Sequence, residues 1–311
     1  MNSSQFNKIL VVKHGSLGDI AFSILAMASI KQFFNNATID LLTEEKYVNF
    51  LSNSNYFNSI FKDNRKGIID SLKVILKINQ NKYDLIIDLQ NSKRTNNYWS
   101  FLKFISEVKV NGSRSNCDIQ YVIPPQGTES PQQGLYNQLK LIGINKINQN
   151  IDWLSKNISA ISEDKIILLI PGVSKSGKDK QWSPDNFAIL ANSLEKKGYH
   201  ICIVGQKSDR QILEIIINAC QKVIDLTDKS PPEIIYSVAK KSNLVISNDT
   251  GPGHIAALSN SPILFLAKDN IISKSNLSEY KNGYTILSDT MNSISVKKVL
   301  DFLNDKKLTD K

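Results

Sequence analysis

The chain has 311 residues, with 38 Lys and Arg against 29 Asp and Glu, a formal excess of nine positive charges, at 41% hydrophobic and 22% charged residues. At roughly 100–200 residues per domain this length reads as two domains, each able to bury its own core, and a collagenous, wholly disordered or disulfide-framework protein is excluded. The three cysteines, Cys117, Cys202 and Cys220, form no CxxC and no His/Cys cluster, so neither a metal site nor a disulfide is expected and a reducing compartment is favoured.

Met1 to Lys8 lacks the charged and then apolar pattern of an export signal, and no apolar run approaches the ~18 residues of a membrane span. A cytoplasmic protein is expected. The basic excess suits nucleic acid, an anionic membrane surface or a phosphorylated substrate. No basic run carries interleaved aromatics, so nucleic acid is not expected as a partner.

In chain order, Ile9–Val12 reads as a strand, Ile20 to Phe34 as a helix, Thr38–Leu42 as a strand and Gly67 to Ile78 as a helix. Asp84–Leu89 is a strand whose continuous apolar run fits a sheet covered on both faces. A helix follows from Thr95 to Ile105, and the polar stretch Ser155 to Asp164 reads as a linker. The rhythm then restarts with a strand at Lys165–Ile170, a helix from Ser183-Pro184 to Lys197 and a strand at His200–Val204. Ser230-Pro231-Pro232-Glu233 has the spacing of a capping box and opens a helix to Lys241. Strands at Leu244–Ser247 and Ile263–Leu266 and a helix from Ser295 to Asp305 complete an α/β chain of two doubly wound halves. Domains of this kind facing across a cleft place the loops after their strands at that cleft.

Three loops carry chemistry. Lys13-His14-Gly15-Ser16-Leu17-Gly18-Asp19 follows the first strand and opens a helix. Its glycines allow close backbone approach, although the GxGxxG spacing of a dinucleotide fingerprint is absent. Asp19 fits two roles, a helix cap and a carboxylate aimed at the cleft. The second loop, Pro171 to Pro184, holds Lys175, Lys178 and Lys180, and reads either as solvated charge or as a diphosphate clamp built from ammonium, hydroxyl and amide groups. It lacks the Gly-Lys-Ser/Thr ending of a Walker loop. The third, Asp249-Thr250-Gly251-Pro252-Gly253-His254, delivers a carboxylate, a hydroxyl and an imidazole within six residues. A capped helix with a core histidine is its bland reading.

Ile9 to Asp19, Tyr83 to Gln90, Pro171-Gly172 through Lys180-Gln181-Trp182-Ser183-Pro184, and Ser247 to Ala257 together resemble glycosyltransferase family 9, the lipopolysaccharide heptosyltransferases and their relatives. The resemblance covers most of the chain and implies a GT-B fold. Two Rossmann-like domains are then expected, 1–158 on the acceptor side and 159–311 on the nucleotide-sugar donor side, with the last helix returning to the first domain. It further implies an inverting, metal-independent transfer from a nucleotide diphosphate sugar, typically ADP-heptose, to a lipid-linked saccharide at the inner face of the inner membrane. Asp19 matches the family's general base. Ser174 and Lys180 fall near the donor phosphates, Asp209 near the ribose, and Asp249, Thr250, Gly251 and His254 in the donor motif. Lys13, His14, Ser16, Gly18 and Arg94 are the acceptor-side candidates.

The chain departs from the family pattern at Ala267-Lys268-Asp269-Asn270, where a Gly-Pro-Thr-like loop is usual, and at Ser183, inserted between Trp182 and Pro184. Two rivals stand beside transfer: a nucleotide-sugar-binding protein that has lost turnover, and a GT-B epimerase or hydrolase acting on the donor alone.

Overall fold

The computed structural model describes residues 5–278 and 280–309. Its internal contacts divide the chain into two units, Met1–Trp153 and Leu154–Lys311. Among the described residues no helix is long and apolar enough to cross a membrane.

The first unit runs β1 (Lys8–Val12), α1 (Leu17–Phe33), β2 (Thr38–Thr43), α2 (Glu45–Ser52), β3 (Ser59–Lys62) and α3 (Ile68–Asn81). It continues through β4 (Leu85–Asp88), α4 (Lys93–Leu102), β5 (Lys109–Gly112), β6 (Ile119–Gln120) and α5 (Pro131–Lys140). Its strands lie in the order β3-β2-β1-β4-β5-β6, all parallel. Both faces of the centre are covered: Ile9 to Val12 and Leu85 to Ile87 are shielded completely, as a parallel sheet sheathed by helices requires. One core gathers Leu10, Val12, Ile86, Tyr98 and Trp99 with the inner face of α3, Val74, Ile75 and Ile78. The helix α1 is apolar nearly all round and buried along its length, so Ser23 and Ser29 turn their hydroxyls onto the carbonyls of Asp19 and Leu25 one turn back.

The second unit runs β7 (Ile166–Ile170), a 3-10 segment at Lys175–Lys180, α6 (Pro184–Lys196), β8 (His200–Gly205), α7 (Arg210–Ile217), β9 (Val223–Thr227) and α8 (Pro232–Lys241). Then come β10 (Leu244–Asn248), α9 (Gly251–Ala257), β11 (Ile263–Lys268), α10 (Ile271–Leu277), β12 (Gly283–Ser288) and α11 (Val296–Asp305). Its order, β12-β11-β10-β7-β8-β9, is again all parallel. Numbered within its own unit, each sheet has the order 3-2-1-4-5-6 of a doubly wound dinucleotide-type fold.

α11 places Val299 and Leu303 in the second unit's core beside α6. Two expectations change here. Ser230 stands one residue too early to cap: extended Pro231 is the N-cap and Pro232 the first helical residue, with no side-chain cap bond. The stretch 155–164 is irregular but tied to the second unit, because the Lys156 amide donates to the Ser237 hydroxyl (2.8 Å) and the Lys241 ammonium to the Ile161 carbonyl. Strand order had no signal in β5, whose Lys-Val-Asn-Gly carries one large apolar residue, nor in the two-residue β6.

Candidate active site

In each sheet the chain reverses direction of assembly at one point, between β1 and β4 in the first unit and between β7 and β10 in the second. The loops after two such strands leave to opposite faces and open a crevice at the carboxyl edge, where ligands of this fold class sit. All three sequence motifs fall there.

In the first unit Gly15 takes φ +134°, and a Cβ there would lie 2.4 Å from Cε2 of Tyr47, so conformation and space both demand glycine. The Asp19 carboxylate, half-buried in the first turn of α1, accepts from the Ser16 amide (2.6 Å) and hydroxyl (3.0 Å). It is therefore a cap by geometry, and the carboxylate is also fixed in place for any further task. Gly18 is buried in the same turn. Lys13 is buried: its ammonium donates to the Leu89 carbonyl (3.0 Å), and burial lowers its pKa against the opposing pull of Asp19 and Asp88. Gln90 joins the two loops, its side-chain carbonyl accepting from the amides of His14 (2.9 Å) and Gly15 (3.4 Å).

A fully buried Asp63 organises the acceptor-side candidates. Its carboxylate lies 2.9 Å from His14 Nε2 and 3.5 Å from an Arg94 nitrogen, and accepts from the Tyr98 hydroxyl (2.7 Å) and the Arg65 amide (2.9 Å). Burial alone would raise its pKa; His14 and Tyr98 outweigh that and hold it below the ordinary carboxylate value. Asp88, equally buried, accepts from the Gln90 and Asn91 amides and from the Trp99 indole (2.8 Å), fixing the turn after β4.

In the second unit the geometry converges on Asp249, at the carboxyl end of β10. One oxygen lies 3.1 Å from the Lys180 ammonium and accepts from the Ser273 hydroxyl (3.3 Å); the other lies 3.2 Å from His254 Nε2. His254 Nδ1 meets the Tyr280 hydroxyl at 2.9 Å. Asn248 locks the loops together, donating to the Pro171 carbonyl (2.8 Å) and accepting from the Trp182 amide (3.1 Å). Gly172 leaves room for Asp209, whose Oδ2 would lie 2.9 Å from a Cβ there and which accepts from the Gln206 amide. Ser174 is exposed, its hydroxyl 3.2 Å from that of Ser176. The Thr250 hydroxyl is buried with no hydrogen-bond partner among the described residues, next to Gly251, the first residue of α9. Among the described residues no three His, Cys, Asp or Glu side chains converge as a metal site would need.

Burial would raise the Asp249 pKa, but His254 and then Lys180 bring it down to about 2 from 3.8. The carboxyl thus binds its proton more weakly folded than unfolded. Its stabilising contribution is complete above the unfolded value and is lost as the pH falls through about 2. At ~1.4 kcal/mol per unit this is about 2 kcal/mol. Urea unfolding at successively lower pH is expected to show Asp249→Asn lacking that part of the acid loss, and equal acid slopes in both proteins would refute the depressed pKa.

A model of glycosyltransferase family 9 (heptosyltransferase) matches residues 126–276. The lipopolysaccharide heptosyltransferase 1 of Campylobacter coli is 24% identical over 94% of this chain and 92% of its own. The chain is similar to the heptosyltransferase-like glycosyltransferases of family 9. Among solved structures, the family 9 glycosyltransferase of Veillonella parvula aligns with TM-score 0.76 at 18% identity over 97% of both chains. The E. coli heptosyltransferase WaaC with ADP-2-deoxy-2-fluoro heptose aligns at 0.75 and 14%, over 96% of this chain and 99% of that one. Both sheets are thus those of the GT-B fold.

The sequence motifs missed Asp63, Ser273 and Tyr280. Asp63 ends a half-exposed edge strand, Ser-Ile-Phe-Lys, with no local pattern to mark it. Ser273 and Tyr280 reach Asp249 and His254 from beyond β11, where the departure from the family pattern drew attention to Lys268 instead. Lys268 lies 3.0 Å from Asp179 and so ties the end of β11 to the lysine-rich loop.

Proposed function

We propose that this glycosyltransferase moves a heptose, with inversion and without a metal, from ADP-heptose to a saccharide of the lipopolysaccharide core or a related lipid-linked acceptor. The first unit serves the acceptor and the second the donor. The observation that carries the reading is the Lys180–Asp249–His254 cluster at the carboxyl end of β10, a cation held by a buried carboxylate where this fold class binds diphosphates. The names of the relatives supply the sugar: lipopolysaccharide heptosyltransferase 1 in C. coli, and an E. coli enzyme solved with a fluorinated ADP-heptose.

The chemistry assigns each group a task. As the acceptor oxygen attacks C1 from the face opposite the nucleotide, Asp19 takes its proton, the C1–oxygen bond to the diphosphate breaks, and ADP leaves with the electron pair. Lys180, with the hydroxyls of Ser174 and Thr250, stabilises the charge gathering on the diphosphate. Asp209 addresses the ribose hydroxyls, and Asp249 orients Lys180 and His254. His14, Ser16 and Arg94 line the acceptor side, with Lys13 bracing the loop from beneath. The enzyme works at the inner face of the inner membrane, where a basic protein meets anionic lipid.

The Lys268–Asp179 pair favours a second reading, a binding protein in which this bridge holds the loop closed against turnover. Thermal denaturation with ADP, UDP, GDP, CDP and ADP-heptose, each with Mg²⁺ or EDTA, tests the donor. A ligand at ~100 times its dissociation constant stabilises by about 2.7 kcal/mol, a shift of several degrees. ADP and, more strongly, ADP-heptose are expected to raise Tm equally in EDTA. A larger shift with UDP would change the donor, and a shift that needs Mg²⁺ would overturn metal independence. Transfer to an acceptor would remove the second reading.

A further inference from the structure

We infer that the outer face of α3 and α4 is the surface by which this protein sits on an anionic phospholipid bilayer. Seven large apolar side chains are exposed there: Ile68 (80%), Ile69, Leu72 and Leu76 on α3, and Phe101, Phe104 (87%) and Ile105 at the end of α4. These are half of the large exposed apolar residues among the described residues. The two helices pack side by side, and the Tyr98 hydroxyl of α4 reaches Ser71 of α3.

The pattern on α3 is what separates this from scattered surface residues. Val74, Ile75 and Ile78 already supply the face that the core needs. Ile68, Leu72 and Leu76 form a second stripe at four-residue spacing, about 12 Å long, with Ile69 beside it. A helix apolar over both its inner and outer flanks, in a unit whose sheet is already covered, marks an interaction surface.

Charge selects the occupant. From Arg65 to Ile105 the chain has eight basic residues against three acidic, so these 41 residues hold five of the nine excess positive charges. Lys66, Lys73, Lys77, Lys93 and Lys103 are exposed around the apolar stripe, and of these Lys103 pairs with Asp118. Apolar side chains ringed by lysine match the acyl boundary and the anionic headgroups of a bilayer surface. The inference deepens the reading of a lipid-anchored acceptor. α3 starts five residues after Asp63 and α4 three after Gln90, so the helices that carry the surface begin at the first unit's crevice.

Flotation of the full chain with acceptor-free vesicles tests this apart from any transfer reaction. Wild type is expected to float with vesicles one quarter phosphatidylglycerol in phosphatidylcholine, to remain behind with phosphatidylcholine alone, and to bind less as salt is raised. Ile68→Ser with Phe104→Ser is expected to weaken binding at least about tenfold, as is Lys66→Glu with Lys73→Glu. Both variants change exposed side chains, so melting temperature and the ADP-induced shift should stay as in wild type. Failure of wild type to float on anionic vesicles overturns the inference, as does unaltered flotation of the serine variant. A concentration-dependent dimer in wild type that the serine variant abolishes would also overturn it and assign the face to a second copy of the chain. None of these results bears on whether the enzyme turns over a soluble acceptor.

Discussion

Asp19→Asn is expected to lower kcat about 10²–10⁴-fold while ADP binding, read as the ADP-induced shift in Tm, stays at the wild-type level. Asparagine is the informative replacement because its carbonyl oxygen can still accept from the Ser16 amide and hydroxyl that Asp19 now engages. The start of α1 is thereby kept, whereas alanine would also remove a cap worth about 1 kcal/mol and mix folding with chemistry. Asparagine cannot take a proton from the acceptor hydroxyl. A fall in kcat without loss of melting temperature therefore belongs to the base, and near-normal turnover would return Asp19 to capping alone.

The two α/β halves were legible because their central strands are apolar at every position. Ile9–Val12, Leu85–Ile87, Ile166–Ile170 and Leu244–Ile246 are covered on both faces, and such burial leaves an unbroken run in the sequence. Edge strands are covered less and so look like loops: β3, β9 and β12 are mostly half-buried along their length. The same rule divides the site. Lys180, Asp249 and His254 come from loops after central strands, where short motifs announce them. Asp63 comes from the end of an edge strand and Tyr98 from the interior of a helix, so their meeting with His14 depends on the packing of the whole unit. Lys13 illustrates a related point: a charged residue beside glycines suggests a ligand, and the fold also gives its ammonium the Leu89 carbonyl as a partner.

Lys180→Met should lower kcat about 10²–10³-fold, the usual cost of removing one preorganised group from a developing anion. It should also raise the KM for the donor. Geometry bounds the structural part of this effect. Lys180 is 35% exposed on its side chain, and Asp249 keeps His254 and the Ser273 hydroxyl when the ammonium is gone. The carboxylate is therefore not left bare, and a stability loss of about 1 kcal/mol or less is expected, as for a pair partly open to water. Removal of Asp249 itself differs, because it takes the anion from a buried His254 and frees Lys180 at once. Lys180→Arg retains the charge on a planar fork in place of a compact ammonium, so it should recover donor binding better than kcat. If instead Lys180→Met turns over within about threefold of wild type, the interaction made only in the transition state lies elsewhere. Lys180 would then serve only to neutralise Asp249, and Lys268, held 3.0 Å from Asp179 at the end of the neighbouring strand, would be the next cation to replace.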